Sequence, residues 1–288
     1  MPTQLDLKRR IRSVKNTQQI TRAMKFVAAA RLRRAQEKAF SARPYARALA
    51  RVVHSVALRV PESVHPLLCR RPEERVLLIV VSGERGLCGA FNANVIRRAL
   101  EFLRGRPQQT TEVVALGRKS RDALRKQPWK IVAEHVDITT RAEFNRAAEI
   151  AHDVTELYDK GEVDAVYVVF NEFKSVMTQT LTLQKLLPIE TPPPGAEAAE
   201  GVAVDYLYEQ PAPELLARLL PRFVEVQLYR ALAESAASEH AARMTAMDSA
   251  TSNASDLIDQ LTLYMNKVRQ AAITKEIIEV VSGAASAG

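Results

Sequence analysis

The C-terminal part of the chain predicts one very long helix. Between Pro221 and Gly283 the sequence contains no further proline or glycine. Pro221 suits the first turn of a helix, where its missing N–H costs nothing, and Gly283 suits the residue just past a helix end. At 1.5 Å per residue this helix would be roughly 90 Å long, more than a compact domain can bury. We therefore expect a rod that needs partners along its length.

A single seam of apolar and small residues runs along the predicted rod. Its positions are separated mostly by three, four or seven residues, which is close to heptad spacing. They are Leu228, Leu232, Ala236, Met244, Met247, Ala250, Ala254, Leu257, Leu261, Met265, Val268, Ala272 and Ile278. The small members allow a second helix to approach closely. The pattern alone fits a coiled coil of any purpose.

Residues 3–58 predict a second long helix, because they contain no glycine and Pro44 is their only proline. A narrow stripe again follows helical spacing. It consists of Leu7, Ile11, Val14, Gln18, Thr21, Met24 (or Lys25), Ala28 and Leu32. Two long helices with narrow seams most simply pair with each other, and the chain must turn back between them. The sequence therefore predicts a long antiparallel coiled coil.

The middle of the chain alternates between strand and helix patterns. The strand patterns lie at residues 75–82, 111–117, 130–135, 163–170 and 175–186. The helical patterns lie at residues 92–104, 118–126 and 140–159, and Asn92 is a suitable cap for the first of them. This order predicts a small, largely parallel sheet with helices on both faces, a doubly wound, Rossmann-like arrangement.

The complete pattern predicts an α/β protein in three parts. Residues 1–58 form the N-terminal helix of the coiled coil, residues 73–210 form the α/β domain, and residues 211–288 form the C-terminal helix. Proline-containing stretches at 60–72 and 188–201 act as a linker and a loop.

Positive charge is concentrated in the N-terminal helix. Residues 1–51 contain 14 Lys and Arg against Asp6 and Glu37, a net of +12, so the remaining residues carry −4 of the chain's +8. Such a helix attracts phosphates, but it lacks the arrangement of a basic zipper and the aromatic residues that stack single strands. Nucleic-acid binding is the weaker alternative, and we expect an acidic protein partner.

The sequence gives no sign of a membrane span or of an export signal. No apolar run approaches about 18 residues, and the first residues lack the apolar core of a signal peptide. Cys69 and Cys88 match no metal or redox spacing. We therefore expect a reduced, cytoplasmic chain without a direct membrane span.

A glycine-rich turn between the first predicted strand and helix is the one candidate for chemistry. Gly83, Gly86 and Gly89 are spaced by threes, which matches neither common phosphate-binding fingerprint. A tight turn is the favoured interpretation, and a nucleotide site is the alternative. Cys88 has no histidine nearby in sequence to serve as a base, which favours a buried thiol. We expect no catalytic residue, cofactor site or metal site in this chain.

Four blocks of the sequence resemble a known family. They read RIRSVKNTQQITRAMKFVAAA at 10–30, RGLCGAFNAN at 85–94, EHAARMTAMDSATSNA at 239–254 and LTLYMNKVRQAAITKEIIEVV at 261–281. All four are similar to the gamma subunit of F-type ATP synthase, in order and over essentially the whole chain. Chloroplast members carry an inserted segment with a regulatory cysteine pair, and this chain has no such pair.

The resemblance implies a non-catalytic rotor shaft. In the family, the antiparallel helices stand inside a ring of alpha and beta subunits, at 3:3:1 with the shaft. Ion flow through the membrane c-ring turns the foot, and the shaft drives conformational changes in the catalytic beta subunits. The epsilon and delta subunits complete the expected partners. The chain would then lie at the cytoplasmic face of the plasma membrane as a peripheral protein.

The resemblance also assigns expected contact residues. Those expected to meet the alpha–beta ring are Met24, Lys25, Arg269, Gln270, Thr274, Ile277, Ile278 and Val281. Those expected to meet the membrane ring and the epsilon subunit are Tyr206, Leu207, Tyr208 and Glu209. The apolar residues near the C-terminus would make a slim tip that rotates within the alpha–beta ring. The polar residues would make and break contacts with the ring during rotation.

Overall fold

The computed structural model describes residues 3–139, 142–190 and 210–286. The chain forms two compact units. The first, the helical unit, comprises Met1–Ala28 and Met244–Gly288. The second, the α/β unit, comprises Ala29–Arg243.

Five helices and five strands make up the described part of the chain, together with three short 3₁₀ turns. The helices are α1 (Gln4–Ala57), α2 (Phe91–Arg104), α3 (Arg118–Leu124), α4 (Phe144–Asp159) and α5 (Ala212–Ser286). The strands are β1 (Val76–Val81), β2 (Thr111–Leu116), β3 (Lys130–His135), β4 (Ala165–Phe173) and β5 (Gln179–Leu187). Each of the two long helices contributes residues to both units.

Both predicted ends of the C-terminal helix are wrong. Helix α5 begins at Ala212, so Pro221 lies inside it. Leu216, Leu220 and Val224 on either side of this proline are fully buried in the core, and such packing outweighs the roughly 3 kcal/mol cost of an interior proline. The helix also continues through Gly283 to Ser286, because the alanines after this glycine favour helix.

The α/β unit is organised around a five-stranded sheet in the order β3-β2-β1-β4-β5. The pairs β1–β2, β1–β4 and β2–β3 are parallel, whereas β4 and β5 pair antiparallel as a hairpin. This confirms the predicted α/β arrangement with a largely parallel sheet. The antiparallel edge strand follows directly from the short connection between β4 and β5, since a parallel neighbour would need a crossover.

Helices cover both faces of the sheet. Alternate β1 side chains face opposite ways: Leu77, Ile79 and Val81 join a core with residues of α1, α4 and α5. Leu78 and Val80 join a second core with residues of α2 and α3. Because every residue of β1 is buried on both faces, its sequence is a continuous apolar run rather than an alternating one.

Candidate partner-binding site

The helical unit is an antiparallel pair of α1 and α5. The hydroxyl oxygens of Thr21 and Thr251 lie 2.8 Å apart, and Lys25 Nζ lies 2.6 Å from Asp248 Oδ1. Residue numbers rise along α1 while those of their partners fall along α5, so the two helices run in opposite directions. This confirms the predicted antiparallel pairing.

The predicted seam of α1 faces inward in this unit. Leu7, Thr21 and Ala28 are buried, and the remaining seam positions up to Met24 are half-buried. On α5, Met247 and Ala254 are buried at 5% and 7% exposure, whereas the predicted seam positions Leu257, Ala272 and Ile278 are exposed. The small side chains of Ala28 and Ala254 let the helices approach closely.

The two predicted ring contacts on α1 are Met24, on the seam, and its neighbour Lys25. Met24 and Lys25 are both half-buried. Lys25 pairs with Asp248, whose side chain is 60% exposed. An ion pair this open to water contributes at most about 1 kcal/mol, so Lys25 can exchange Asp248 for another carboxylate at little cost.

The last turns of α5 extend beyond the start of α1. Extending the register from the Thr21–Thr251 contact places Leu7 opposite about residue 265. Every side chain from Arg269 to Ser282 is exposed. The predicted polar contacts Arg269, Gln270 and Thr274 all lie in this uncovered stretch, which we call the α5 tail (residues 269–282).

The α5 tail carries an unusual amount of exposed apolar surface. Ile277, Ile278, Val280 and Val281 are 57%, 59%, 72% and 62% exposed. Burying one such side chain is worth about 1.5–3 kcal/mol. A helix with this surface, left uncovered by the described residues of its own chain, is typical of a segment that packs against another protein.

The four predicted foot contacts, Tyr206, Leu207, Tyr208 and Glu209, lie outside the described residues.

The glycine-rich turn after β1 is closed by Asn92. Its Oδ1 accepts a hydrogen bond from the Gly83 N–H at 2.9 Å, and its Nδ2 donates to the Arg85 carbonyl at 3.1 Å. Leu87 and Gly89 both have left-handed backbones, with φ of 61° and 56°. The prediction that Asn92 caps α2 is therefore wrong: the helix begins one residue earlier, and the Asn92 side chain holds the turn together instead.

A carboxylate from α5 fills the space against this turn. Glu239 is 6% exposed, and a Cβ added to Gly83 would lie 2.7 Å from its Cδ. Arg243 Nη2 lies 2.6 Å from Glu239 Oε1 and also donates to the carbonyls of Arg85 and Gly86 at 3.4 and 3.2 Å. Burial raises the pKa of Glu239, and Arg243 opposes that shift. The space beside Gly83 is thus filled by the Glu239 carboxylate.

Cys88 is a buried thiol, at 2% exposure. Its Sγ lies 3.1 Å from Asn92 Nδ2. Burial raises the pKa of Cys88, and the charge of Glu239 adds to the shift. The neutral thiol is therefore the favoured form, which makes this cysteine a poor nucleophile.

Sequence reasoning missed one ion pair that holds α1 to α5 within the α/β unit. Arg43 Nε lies 2.6 Å from Glu234 Oε1, and the two side chains are 22% and 2% exposed. Glu234 also accepts from the backbone N–H of Phe173 at the end of β4. The sequence shows Arg43 and Glu234 only as single charged residues of two long helices, and it gives no sign that the half-buried Arg43 and the buried Glu234 are paired.

Among the residues that the structure describes, no helix has a stretch both long and apolar enough to cross a lipid bilayer. This includes the described length of α1 and α5.

Comparison with known proteins identifies the family. Residues 3–287 match the family model described as "ATP synthase". The ATP synthase gamma chain of Solibacter usitatus is 52% identical over 100% of both chains. That of Pelotomaculum thermopropionicum is 48% identical over 99% of both chains.

Solved structures show the same fold. The central stalk and c-ring structure of the Tetrahymena thermophila mitochondrial ATP synthase contains a chain with a TM-score of 0.61 and 24% identity, covering 80% of this chain and 99% of that one. A chain of the Euglena gracilis mitochondrial ATP synthase, in rotational state 3, gives a TM-score of 0.67 at 19% identity, covering 97% and 93%. With the family model matching nearly the whole length and these bacterial relatives so similar, the chain belongs to the ATP synthase gamma chain family.

Proposed function

We propose that this chain is the central rotor shaft of an F-type ATP synthase. In this role it couples ion flow through a membrane ring to conformational cycling of the catalytic beta subunits, and it carries no catalytic residue itself. Membership of the gamma chain family supports the proposal. The observation that carries it is the uncovered α5 tail, with its four exposed Ile and Val side chains between residues 277 and 281.

The helical unit suits the transmission of torque. Two antiparallel helices with a small-residue seam resist twisting better than one helix and stay thin. The ends of the tail differ in chemistry: Arg269, Gln270 and Thr274 offer polar groups, whereas Ile277 and the residues after it are mostly apolar. We infer that the polar groups make contacts that form and break during a turn, and that the apolar tip slides.

The partners follow from this role. Met24, Lys25 and the α5 tail, including Ile278 and Val281, meet a ring of three alpha and three beta subunits. The segment from Tyr206 to Glu209 meets the membrane c-ring and the epsilon subunit, and the delta subunit belongs to the same complex. The division into a coiled coil (1–58 and 211–288) and a foot domain (73–210) stays a prediction. The chain would act at the cytoplasmic face of the plasma membrane as a peripheral subunit.

Co-purification tests the proposal. The tagged full-length chain is expressed with the alpha and beta subunits of the same complex, and the stoichiometry of the purified assembly is measured by native mass spectrometry. We expect a 3:3:1 assembly. If no such assembly forms, the proposed function is wrong.

A double variant, Ile277→Asp with Ile278→Asp, tests the observation that carries the proposal. Because two apolar contacts are lost and two charges must be buried, the affinity for the ring should fall at least about tenfold. Met177→Asp is the matched control, since Met177 is 79% exposed and lies in the β4–β5 hairpin of the other unit. Equal affinity of both variants would show that the tail is not the binding surface.

A further inference from the structure

The two edges of the sheet differ in how they are protected. In the order β3-β2-β1-β4-β5, the edge strands β3 and β5 each lack a neighbour on one side among the described residues. An open edge presents unpaired backbone N–H and C=O groups, with which a strand of another chain can pair. Proteins block the edges that stay open with short strands, charged side chains or bulges. The protection of an edge therefore indicates whether that edge stays open in the assembled protein.

The edge at β3 carries all three of these devices. The strand is only six residues long, and its charged side chains Lys130 and Glu134 are exposed. The register with β2 shifts between Val113 and Val114, which leaves Val132 as the extra residue of a bulge. The β3 edge thus has the features of one that remains unpaired.

The edge at β5 lacks these devices along most of its length. The strand is nine residues long, and residues 175–184 include no charged residue, proline or glycine. Its pairing with β4 is regular from Gln179 to Lys185, and the register shifts only beyond Lys185, next to Leu187. At about 3.3 Å per residue, this leaves roughly 20 Å of regular, uncharged edge. Such an edge is a surface for strand pairing unless something covers it.

The side of β5 that faces α2 is also incompletely covered. Leu181 and Leu183 lie on this side of the sheet, together with Val169 of β4. Helix α2 packs over β1 and β4, and β5 is the next strand beyond β4. Leu181 and Leu183 are accordingly only partly buried, whereas Val169 is fully buried. The open edge thus adjoins two half-buried leucines, and one added strand would cover both.

We propose that β5 receives a β-strand from a different subunit of the same complex. The backbone of the incoming strand pairs with the open N–H and C=O groups of β5, as in other cases of strand addition. Its alternate apolar side chains cover Leu181 and Leu183. The incoming strand is largely uncharged, because β5 offers no opposite charge between Lys174 and Lys185. This inference rests on the proposed function, which supplies the complex that contains the partner.

A second copy of this chain is the other partner that an open β5 edge attracts, since two equivalent edges can pair with each other. The proposed complex holds a single copy of the shaft. The strand therefore has to come from another subunit, and pairing between two copies is an outcome that the experiment has to distinguish.

Photo-cross-linking in the complete complex tests the proposal. Thr180, which is exposed on β5, is replaced by p-benzoylphenylalanine, and the cross-linked peptides are identified by mass spectrometry after illumination. Val132 is the matched control position, because it is 38% exposed on the opposite edge. We expect the probe at residue 180 to cross-link to a β-strand of one other subunit, with a yield at least about tenfold higher than at residue 132, because only β5 presents an unblocked edge.

The same experiment has outcomes that would overturn the proposal. One is a yield at residue 180 that is no higher than the yield at residue 132. Another is a cross-link between two copies of this chain. A third is a cross-link confined to residues 191–209 of the same chain, which would show that the chain covers its own edge.

Amide hydrogen exchange measures the pairing directly. Residues 179–185 should exchange at least about tenfold more slowly in the complete complex than in the full-length chain alone, because hydrogen-bonded edge amides are protected. Residues 130–135 on the β3 edge should not gain this protection. Equal exchange of residues 179–185 in both samples would contradict the strand addition.

Charged edge variants separate pairing from folding. Thr180→Lys with Thr182→Lys places two charges along β5 and leaves both leucines in place, and Val132→Lys is the matched control on β3. The double variant should lose the protection of residues 179–185 in the complex, whereas Val132→Lys should keep it. Protection retained in the double variant, with its fold intact by circular dichroism, would contradict the proposal.

The assembly itself is measured separately, by native mass spectrometry of the same preparations. If the 3:3:1 assembly does not form, the proposed function is wrong, and this inference falls with it. If the assembly forms while residues 179–185 exchange as they do in the isolated chain, the proposed function stands and the strand addition is wrong.

Discussion

The carboxyl carbon of Glu239 on α5 lies where any side chain on residue 83 would have to go. A Cβ added to Gly83 would stand 2.7 Å from Glu239 Cδ and 2.9 Å from each of its oxygens. Arg243 holds that carboxylate in place and reaches the backbone of the same turn. A side chain on residue 83 would therefore displace the carboxylate of a residue more than 150 positions away along the chain and disturb its pairing with Arg243.

Gly83→Ala should lower the free energy of unfolding by about 1–3 kcal/mol, the usual cost of overpacking a filled site. Gly86→Ala is the matched control, because a Cβ there meets nothing within 4 Å. Urea unfolding followed by circular dichroism measures both. The double variant Gly83→Ala with Glu239→Ala should recover part of the loss caused by the first change; if it is less stable than the sum of the single variants, the clash is not the cause.

The Arg43–Glu234 pair should contribute strongly to the stability of the α/β unit. Glu234→Ala leaves the Arg43 charge largely buried without its partner, and such a change costs about 3 kcal/mol or more. Arg33–Glu37 is the matched exposed pair, with side chains 85% and 66% exposed, and Glu37→Ala should cost at most about 0.5 kcal/mol. Equal destabilisation by the two substitutions, measured by urea unfolding, would contradict this account.

Local sequence patterns predicted the elements better than their ends. The spacing of the α1 stripe marks the buried face of a helix, and the apolar run of β1 marks a strand that is buried on both faces. The coiled coil and the sheet could therefore be predicted. The start of α5 was predicted wrongly at Pro221, because the helix-breaking effect of a proline can be judged from the local sequence. The burial of Leu216, Leu220 and Val224 around it depends on the whole fold and cannot. The helix cap was predicted wrongly at Asn92 for a similar reason, since its side chain forms hydrogen bonds with the backbone of the turn and not with the end of α2.

Contacts between distant segments could not be predicted. The Glu239–Gly83 contact and the Arg43–Glu234 pair join residues whose neighbours in sequence give no hint of each other. The positions of the ring contacts came from the resemblance to a family, and the exposure of the α5 tail is what the structure added to them.

Histidine 240 should make stability depend on pH. Burial lowers the pKa of His240 to about 4, and the nearby charges of Arg243 and Arg31 add to the shift. The folded protein therefore binds this proton less readily than the unfolded chain, whose histidine has a pKa near 6.5. The contribution of His240 to the free energy of unfolding is fully present above about pH 6.5. It is lost as the pH falls toward 4, by about 2 kcal/mol at pH 4.5.

His240→Gln should remove this part of the pH dependence. The difference in unfolding free energy between pH 7 and pH 4.5 should shrink by that amount, measured by urea unfolding at both values. His152→Gln is the matched control, because His152 is exposed on α4. An unchanged pH dependence in His240→Gln would show that the histidine does not remain neutral in the folded protein.

A disulfide can test the antiparallel pairing in the helical unit. The Thr21 and Thr251 hydroxyl oxygens are 2.8 Å apart, so Thr21→Cys with Thr251→Cys should form a disulfide on mild oxidation. Cys69 and Cys88 are first replaced by serine and alanine. Thr17→Cys with Thr251→Cys, displaced by about one helical turn, should oxidise far more slowly. Comparable rates, measured by gel mobility, would contradict the register.

Stiffness of the paired helices should matter for coupling. Ala254 is 7% exposed on the seam of α5, and Ala254→Pro removes a helical hydrogen bond at a cost of about 3 kcal/mol or more. We expect this variant to assemble with the alpha and beta subunits but to lose coupled ATP synthesis in membrane vesicles. Ala254→Ser, which keeps the helix, is the control. Normal synthesis by Ala254→Pro would refute the argument from stiffness.

Rotation is the most direct test of the central claim. The alpha–beta ring is fixed to a surface, and a bead is attached to this chain through Met177→Cys, in a variant whose native cysteines are replaced. We predict that ATP hydrolysis turns the bead in one direction, in three steps per turn set by the three beta subunits. A bead that stays fixed while the assembly hydrolyses ATP would contradict the account.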